Sequence, residues 1–298
     1  MAKRKESERQ SDGGRGPTTG RGREAHGGGE GEVGNNCGST GHVHSAGSDQ
    51  AEGRGQTEEV NVASAKGEPR LSLVATPIGN LGDLSPRAAS VLASADFWLV
   101  EDTRVSSRLA LHLGIKKPMR VLNEYTTSGG ISRYVEEIAT GLHAALLTDG
   151  GSPAVSDPGA LLTDAAHGAE ITVDPIPGPS APVTALTASG FFAQKFAFLG
   201  FMPRKAGEVR RELEPYRESS MTLVLFESPH RVDDFIIWAG DALGSRRYCL
   251  AREMTKVHGQ IFRGELPIIP SEAEVPRRGE FTVVIEGLRK GLRRETRK

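Results

Sequence analysis

Five short apolar runs in this chain each end in a polar or glycine-rich loop, and those loops carry the residue types best able to hold a small molecule. They are ATPIGNLGD (75–83), VEDTR (100–104), LNEY (122–125), LLTDGGSPAVSDPG (146–159) and PIPGPSA (175–181). In the first, Pro77 fixes one φ angle, Gly79 has no Cβ and Asn80 offers a short amide, so backbone N–H groups can approach a ligand closely. The loop is not a GxGxxG dinucleotide turn, whose first glycine it lacks, nor a phosphate loop, since no GK[ST] follows. In the fourth, Asp149 and Asp157 stand eight residues apart around Gly150, Ser152, Val155 and Ser156, a polar turn suited to a ligand with positive charge. Taken singly, such a turn caps its own backbone through Asp and Ser side chains. The fifth, through Pro177, Gly178, Ser180 and Ala181, reads as a rigid turn into a helix that Ser180 caps. Three such loops in succession on one sheet edge describe a binding site.

They share an edge only if the runs before them are parallel strands of one sheet. LSLVA (71–75), FWLV (97–100), RVLNEY (120–125), AALLT (144–148) and ITVDPI (171–176) are short, apolar and separated by segments with helical spacing. Ser85-Pro86 supplies an N-cap and a proline at the first helical position, Gly114 and Gly168 supply helix stops, and a helix over 132–142 puts Tyr134, Ile138 and Leu142 on one face. This alternation predicts a mostly parallel sheet covered on both faces, with ligands outside the carboxyl ends of its strands. Near Lys195 the rhythm restarts. KFAFLGF, MTLVLFE, YCLARE, QIFRGEL and EFTVVIEGL read as strands of more antiparallel character, with helices near 208–217 and 232–243. The expectation is a two-domain α/β fold, 70–193 with a mostly parallel sheet and 194–288 with a mixed one, whose facing polar edges leave a cleft.

Composition bounds the rest. Residues 1–69 contain no Leu, Ile, Phe, Trp or Tyr and are dense in Gly, Ser, Glu and Arg, so they cannot bury enough surface to offset the entropy of ordering and are expected to be a disordered tail. A short basic tail, 289–298, is expected at the other end. No apolar run follows MAKRKESER, which argues against a secretory signal or membrane span and for a cytoplasmic location. Two cysteines, Cys37 and Cys249, make a disulfide framework implausible and suit a reducing compartment. His42 and His44 form an HxH pair without a structured partner, so no metal centre is expected. With a net charge of −1, the chain does not grip nucleic acid with its whole surface, and a polyanion must meet local clusters such as Arg204-Lys205 or Arg277-Arg278.

Taken in order, VATPIGNLGDLSPRA, VEDTR, LLTDGGSPAVSDPG, PIPGPSA, GFMPRK, FESPHR, AREMTK and RRGEFTVVI closely resemble the motifs of the ribosomal RNA small-subunit methyltransferase I family. That family lies within the tetrapyrrole methylase superfamily of class III S-adenosylmethionine (SAM) methyltransferases. The resemblance covers Leu71 to Ile285 and excludes both tails. It implies a homodimeric enzyme that holds SAM in an interdomain cleft and methylates the ribose 2′-hydroxyl of a cytidine in the decoding region of 16S rRNA. Pro77, Gly79, Asn80, Asp149, Gly150, Ser152, Val155, Ser156, Pro177, Gly178, Ser180 and Ala181 would then form the first-domain side of the cofactor site, with Phe201 and Met202 over the adenine. Arg104, Arg204, Lys205, His230, Arg231 and Arg252 would meet the RNA, so that Arg231→Ala or Lys256→Ala would weaken RNA binding and spare SAM affinity.

A ribose hydroxyl is a poor nucleophile and needs a proton acceptor, either a carboxylate or an amine of lowered pKa. Glu101, Asp102, Glu124, Glu227, Glu253 and Lys256 stand at strand ends and are the candidates. Each has a structural alternative: Glu101 and Asp102 can pair with Arg104, Glu227 with Arg231 and Glu253 with Arg252, while Lys256 can hold phosphate and His230 can stack on a base or donate to phosphate. The chain also departs from its relatives, reading Asn123-Glu124-Tyr125-Thr126 where an H-x-H-N-like segment is typical, and His258 where an acid is common. Two other readings compete. One is a methylase of a tetrapyrrole or corrin precursor, from which FESPHR and AREMTK tilt away; the other is a non-catalytic SAM- or nucleotide-binding protein associated with the ribosome, which the altered segment favours.

Overall fold

The computed structural model describes residues 67–157 and 159–289. The expected N-terminal tail, with Cys37, His42 and His44, and the basic residues from Lys290 onward lie outside them. Strands β1 (Arg70–Val74), β2 (Phe97–Val100), β3 (Met119–Val121), β4 (His143–Leu146) and β5 (Thr172–Ile176) form an all-parallel sheet in the order β3-β2-β4-β1-β5. Both faces are covered, as the unbroken apolar run of β2 requires. Its alternate residues serve two cores: Phe97 and Leu99 pack with Leu71, Ile138, Leu146 and Leu162, whereas Trp98 and Val100 pack with Val74, Leu92, Leu109 and Ala145. Trp98 is fully buried, and its Nε1 donates to the Leu92 carbonyl at 3.0 Å, so the indole brings no unpaired polar group inside.

Helices α1 (Pro86–Ser94), α2 (Thr103–Leu113), α3 (Ser128–Ala139), α4 (Gly159–Gly168) and α5 (Ala181–Ser189) connect and follow these strands. Ser85 Oγ accepts the Ala88 N–H at 3.1 Å ahead of Pro86, and Gly114 ends α2 in the left-handed region, φ 64°. Replacing Ser85 by alanine should cost about 1 kcal/mol in urea denaturation, since one end of α1 loses its cap. The third helix starts earlier than the 132 read from the sequence, because Thr127 Oγ1 accepts the Gly130 N–H and opens the helix at Ser128. The third strand stops at Val121, so Leu122 to Tyr125 belong to the loop after it.

The second sheet consists of β6 (Phe196–Phe201), β7 (Thr222–Glu227), β8 (Arg247–Arg252), β9 (Gln260–Glu265) and β10 (Phe281–Ile285), in the order β6-β7-β10-β8-β9. Only β6 and β7 pair in parallel, and the remaining neighbours are antiparallel. One face packs on α6 (Ala206–Leu213) and α7 (Val232–Leu243) through Val209, Leu213, Phe235 and Ala239. The other receives α5, whose Ala185 and Leu186 join Val224, Cys249, Ala251 and Val284. The fifth helix therefore leaves the first sheet and covers the second, coupling the two. Among the described residues, no helix is long and apolar enough to cross a membrane.

Strand order also fixes where a site can form. The chain leaves β1 toward β2 and leaves β4 toward β5, so the connections from these two neighbours depart in opposite directions. Such a divergence opens a crevice at the carboxyl ends of the pair, and the loops 75–83 and 147–159 flank it.

Candidate active site

Backbone contacts lace the three glycine-rich loops together. Thr76 and Gly151 exchange hydrogen bonds of 2.9 and 3.0 Å, and Thr76 Oγ1 donates to the Thr148 carbonyl at 3.1 Å. Ser152 Oγ donates to the Pro179 carbonyl at 3.4 Å, which ties in the loop after β5. Gly178 permits a close approach there, because a Cβ would stand 3.0 Å from Ala75 Cβ and 3.2 Å from the Ala75 carbonyl oxygen.

A cleft of about 970 Å³ separates this edge from the second sheet. Pro77, Gly79, Asp149, Gly150, Ser152, Val155, Ser156, Ser180 and Ala181 line it on one side, and Phe201, Glu227 and Lys256 on the other. The two sides touch at Gly79, where a Cβ would lie 2.5 Å from Lys256 Cγ, 2.9 Å from Thr255 Oγ1 and 3.2 Å from the Met254 carbonyl oxygen. Ser180 occupies the N-cap position of α5, yet its hydroxyl makes no capping bond, contrary to the sequence expectation, and it lines the cleft. Asn80, Pro177 and Gly178 do not line it. The Asn80 amide oxygen instead accepts the Gly82 N–H at 3.0 Å and caps a short turn. Phe201 is 69% exposed and packs on Phe226, ring centroids 5.2 Å apart. Met202 cannot join it as a cleft wall: successive residues of an extended chain face opposite ways, and Met202 is buried with Val209, Leu225 and Phe235.

The candidate proton acceptors occupy distinct environments. Glu101, at the end of β2, lines the cleft, and Thr148 Oγ1 donates to its Oε2 at 3.3 Å. Partial burial, then the charges of Asp149 and Asp157, push its carboxyl above the ordinary range. Burial does the same to Asp149, with Asp102 and Asp157 adding repulsion. Asp102 goes the other way: hydrogen bonds from Arg104 hold it at about 2, and its Oδ1 accepts the Arg104 N–H at 2.8 Å as the N-cap of α2. Neither Asp102 nor Arg104 lines the cleft. Glu227 is buried; its Oε1 accepts the Ser228 N–H at 2.7 Å, while Oε2 has only Arg231 Nη2 at 3.5 Å. Burial raises its pKa despite that guanidinium. For Lys256, burial works against the ammonium, but Glu253 at 2.9 Å and Glu280 at 3.2 Å outweigh it, so the group lies above ordinary lysine. It is a fixed cation, not an amine of lowered pKa. Glu253, held down chiefly by the Lys256 hydrogen bond, is its counterion.

The structure spends other predicted residues elsewhere. Arg252 is buried, donating from Nε to the Arg278 carbonyl at 2.7 Å and from Nη1 to the His258 carbonyl at 3.1 Å, which braces the loop after β8. Arg231 likewise donates to the Met202 and Pro203 carbonyls and so fastens the loop after β6. Arg204, Lys205 and His230 are exposed but do not line the cleft. Glu124 does not line it either, because β3 is the edge strand, two positions from β1 and β4's shared crevice on the far side of β2. Sequence reasoning missed Arg108, one turn into α2, and the segment 279–282. The latter opens β10, and an antiparallel strand brings its amino end to the edge where its neighbours bring carboxyl ends. The RRGE before that apolar run was the available signal.

Residues 70–269 match the family model of tetrapyrrole (corrin/porphyrin) methylases. Curated relatives include ribosomal RNA small subunit methyltransferase I of Xylella fastidiosa, 38% identical over 221 residues (73% of this chain, 81% of the relative). The protein of the same name from Halalkalibacterium halodurans is 39% identical over 218 residues (73% and 75%). Among solved structures, uroporphyrin-III C-methyl transferase from Thermus thermophilus complexed with S-adenyl homocysteine aligns with TM-score 0.53 at 19% identity, over 73% of this chain and 97% of that one. Diphthine synthase aligns with TM-score 0.55 at 14% identity, over 73% and 90%. The structural neighbours share the fold, and the closer sequence relatives narrow it: this chain belongs to the tetrapyrrole methylase family and, within it, to the ribosomal RNA small subunit methyltransferase I family.

Proposed function

We propose that this protein transfers the methyl group of SAM to the ribose 2′-hydroxyl of a cytidine in the decoding region of 16S rRNA, on the small ribosomal subunit, as a cytoplasmic homodimer with domains 70–193 and 194–288. The observation that carries the reading is the lacing of the family's motif loops into one cleft, with Thr76, Gly151 and Ser152 as the knots. Supporting it, the curated relatives are named as ribosomal RNA small subunit methyltransferases. The Asn123–Thr126 departure does not line the cleft, so it leaves the cofactor side intact.

The residues present fit the cofactor. SAM carries a sulfonium and an ammonium, and Asp149 and Asp157 face the cleft as carboxylates whose mutual repulsion a cationic ligand relieves. The uncommitted Ser180 hydroxyl and the backbone around Gly79 and Gly150 supply polar partners, and Phe201 an apolar wall. When bound, SAM supplies an electrophilic methyl group and a leaving group that departs as a neutral thioether. The protein's part is to align the ribose oxygen, which accounts for about 7–11 kcal/mol of barrier in favourable cases, and to present Lys256 in the cleft lining as a cation for backbone phosphate. Ribose-methylation mapping of rRNA from a strain lacking the gene tests the reading. One 2′-O-methyl mark at a decoding-region cytidine should vanish and return on complementation; an unchanged map contradicts the assignment.

A further inference from the structure

Which group takes the hydroxyl proton follows from what each ionisable side chain is already doing. Asp102 is committed to Arg104 and the α2 cap, and Glu124 lies off the cleft. Glu253 accepts from Lys256 Nζ and from the Glu280 N–H at 3.0 Å, while Lys256 is kept protonated by two carboxylates. The Glu227 side chain is 1% exposed and sits beside Arg231. Asp157 accepts the Gly159 N–H at 2.9 Å at the start of α4, and Asp149 accepts the Asp102 N–H, so both short side chains are anchored in their own loop region. Glu101 accepts the Asp149 N–H as well as the Thr148 hydroxyl at 3.3 Å, but it enters from the end of β2 with a longer side chain and lines the cleft.

Resting on the function proposed above, we infer that Glu101 is the proton acceptor for the ribose hydroxyl, with Thr148 as the residue that positions it. As the ribose oxygen bonds to the methyl carbon, its hydrogen passes as a proton to the Glu101 carboxylate, and the electron pair of the breaking carbon–sulfur bond goes to sulfur. The carboxylic acid then returns its proton to water. Burial and the facing charges strengthen Glu101 as a base in the unliganded protein. The charges that reach it are those of Asp149 and Asp157 from the loop after β4, and Arg108 on α2 and Lys256 across the cleft line the same space.

The test uses full-length protein, Glu101→Gln and Glu101→Asp, with small subunits lacking the mark as substrate and S-adenosylhomocysteine affinity measured by calorimetry in parallel. Glu101→Gln should slow single-turnover methyl transfer by about 100-fold or more while donor-product affinity stays within about threefold. Wild-type rates should fall in acid as the Glu101 carboxylate takes up its proton, and carbon-detected NMR of the unliganded protein should find the Glu101 carboxyl titrating above the ordinary glutamate range. Glu101→Asp should retain an acid limb, and Glu101→Gln should lose it. Transfer by Glu101→Gln within about threefold of wild type would overturn the inference, as would a rate loss matched by an equal loss of S-adenosylhomocysteine affinity, which would make Glu101 a cofactor ligand. Failure of the wild type itself to methylate the subunits would instead take down the functional reading.

Discussion

Valine in place of Gly79 is expected to weaken S-adenosylhomocysteine binding by about 10- to 100-fold, the equivalent of the 1–3 kcal/mol that overpacking typically costs. The reason is geometric. The loop after β1 and the loop after β8 meet with no room between them, since a single Cβ would already press on Lys256 Cγ at 2.5 Å and on Thr255 Oγ1 at 2.9 Å. Valine adds two methyl groups to that conflict, and the Met254 carbonyl at 3.2 Å blocks retreat along the backbone. The loops must part, and the cleft they close loses its shape. Gly79 belongs to no helix or strand, so far-UV circular dichroism should be unchanged. Gly207→Ala is the control: an added methyl there meets no atom within 4 Å, and binding should not move. Unimpaired binding by Gly79→Val would contradict the packing described.

Removing Arg231 should destabilise the fold, and by an amount that depends on pH. The guanidinium stands 3.5 Å from the buried Glu227 carboxylate and holds the Met202 and Pro203 carbonyls, so Arg231→Ala leaves an uncompensated charge and frees the loop after β6. Breaking a buried pair in this way costs about 3–5 kcal/mol when the remaining charge cannot neutralise. Glu227 can neutralise, because its folded-state pKa already lies above the ordinary value through burial. An acid raised in the folded state takes up its proton there before the unfolded chain does, so stability is greatest below the unfolded pKa and declines as pH rises through the folded one. Loss of Arg231 raises that pKa further. Urea denaturation of the variant should therefore show the larger deficit near about pH 8 and a smaller one near about pH 5. An equal deficit at both would rule out Glu227 as its source. The proposal that Arg231→Ala weakens RNA binding and spares SAM affinity stands beside this structural role.

How far the residues themselves announced the molecule differs from region to region. The parallel sheet was readable because FWLV is an unbroken apolar run and LSLVA is apolar but for Ser72, with Ser85-Pro86 and Gly114 as helix start and stop, signals that local chemistry obeys without help from tertiary contacts. The glycine loops were readable because Gly79 and Gly178 stand where a side chain would meet its neighbours and Gly151 where two backbones bond. Strand order was not, since nothing in LNEY tells that β3 lies at the edge. Arginine roles were equally hidden. The partners of Arg231 and Arg252 are carbonyl oxygens, which every residue possesses and no sequence pattern marks. Met202 was foreseeable: the period of two that puts Phe201 on the cleft puts its neighbour in the core. The landing of α5 on the second sheet depended on a face that only the other half of the chain could supply.

A crystal structure of the protein grown with millimolar S-adenosylhomocysteine puts the donor site to its most direct trial. The molecule should lie between the Gly79 and Asp149 loops and Phe201, with its sulfur turned toward the region that Glu101 faces. Density for it at any other surface, or an empty cleft at that concentration, would contradict the proposed site.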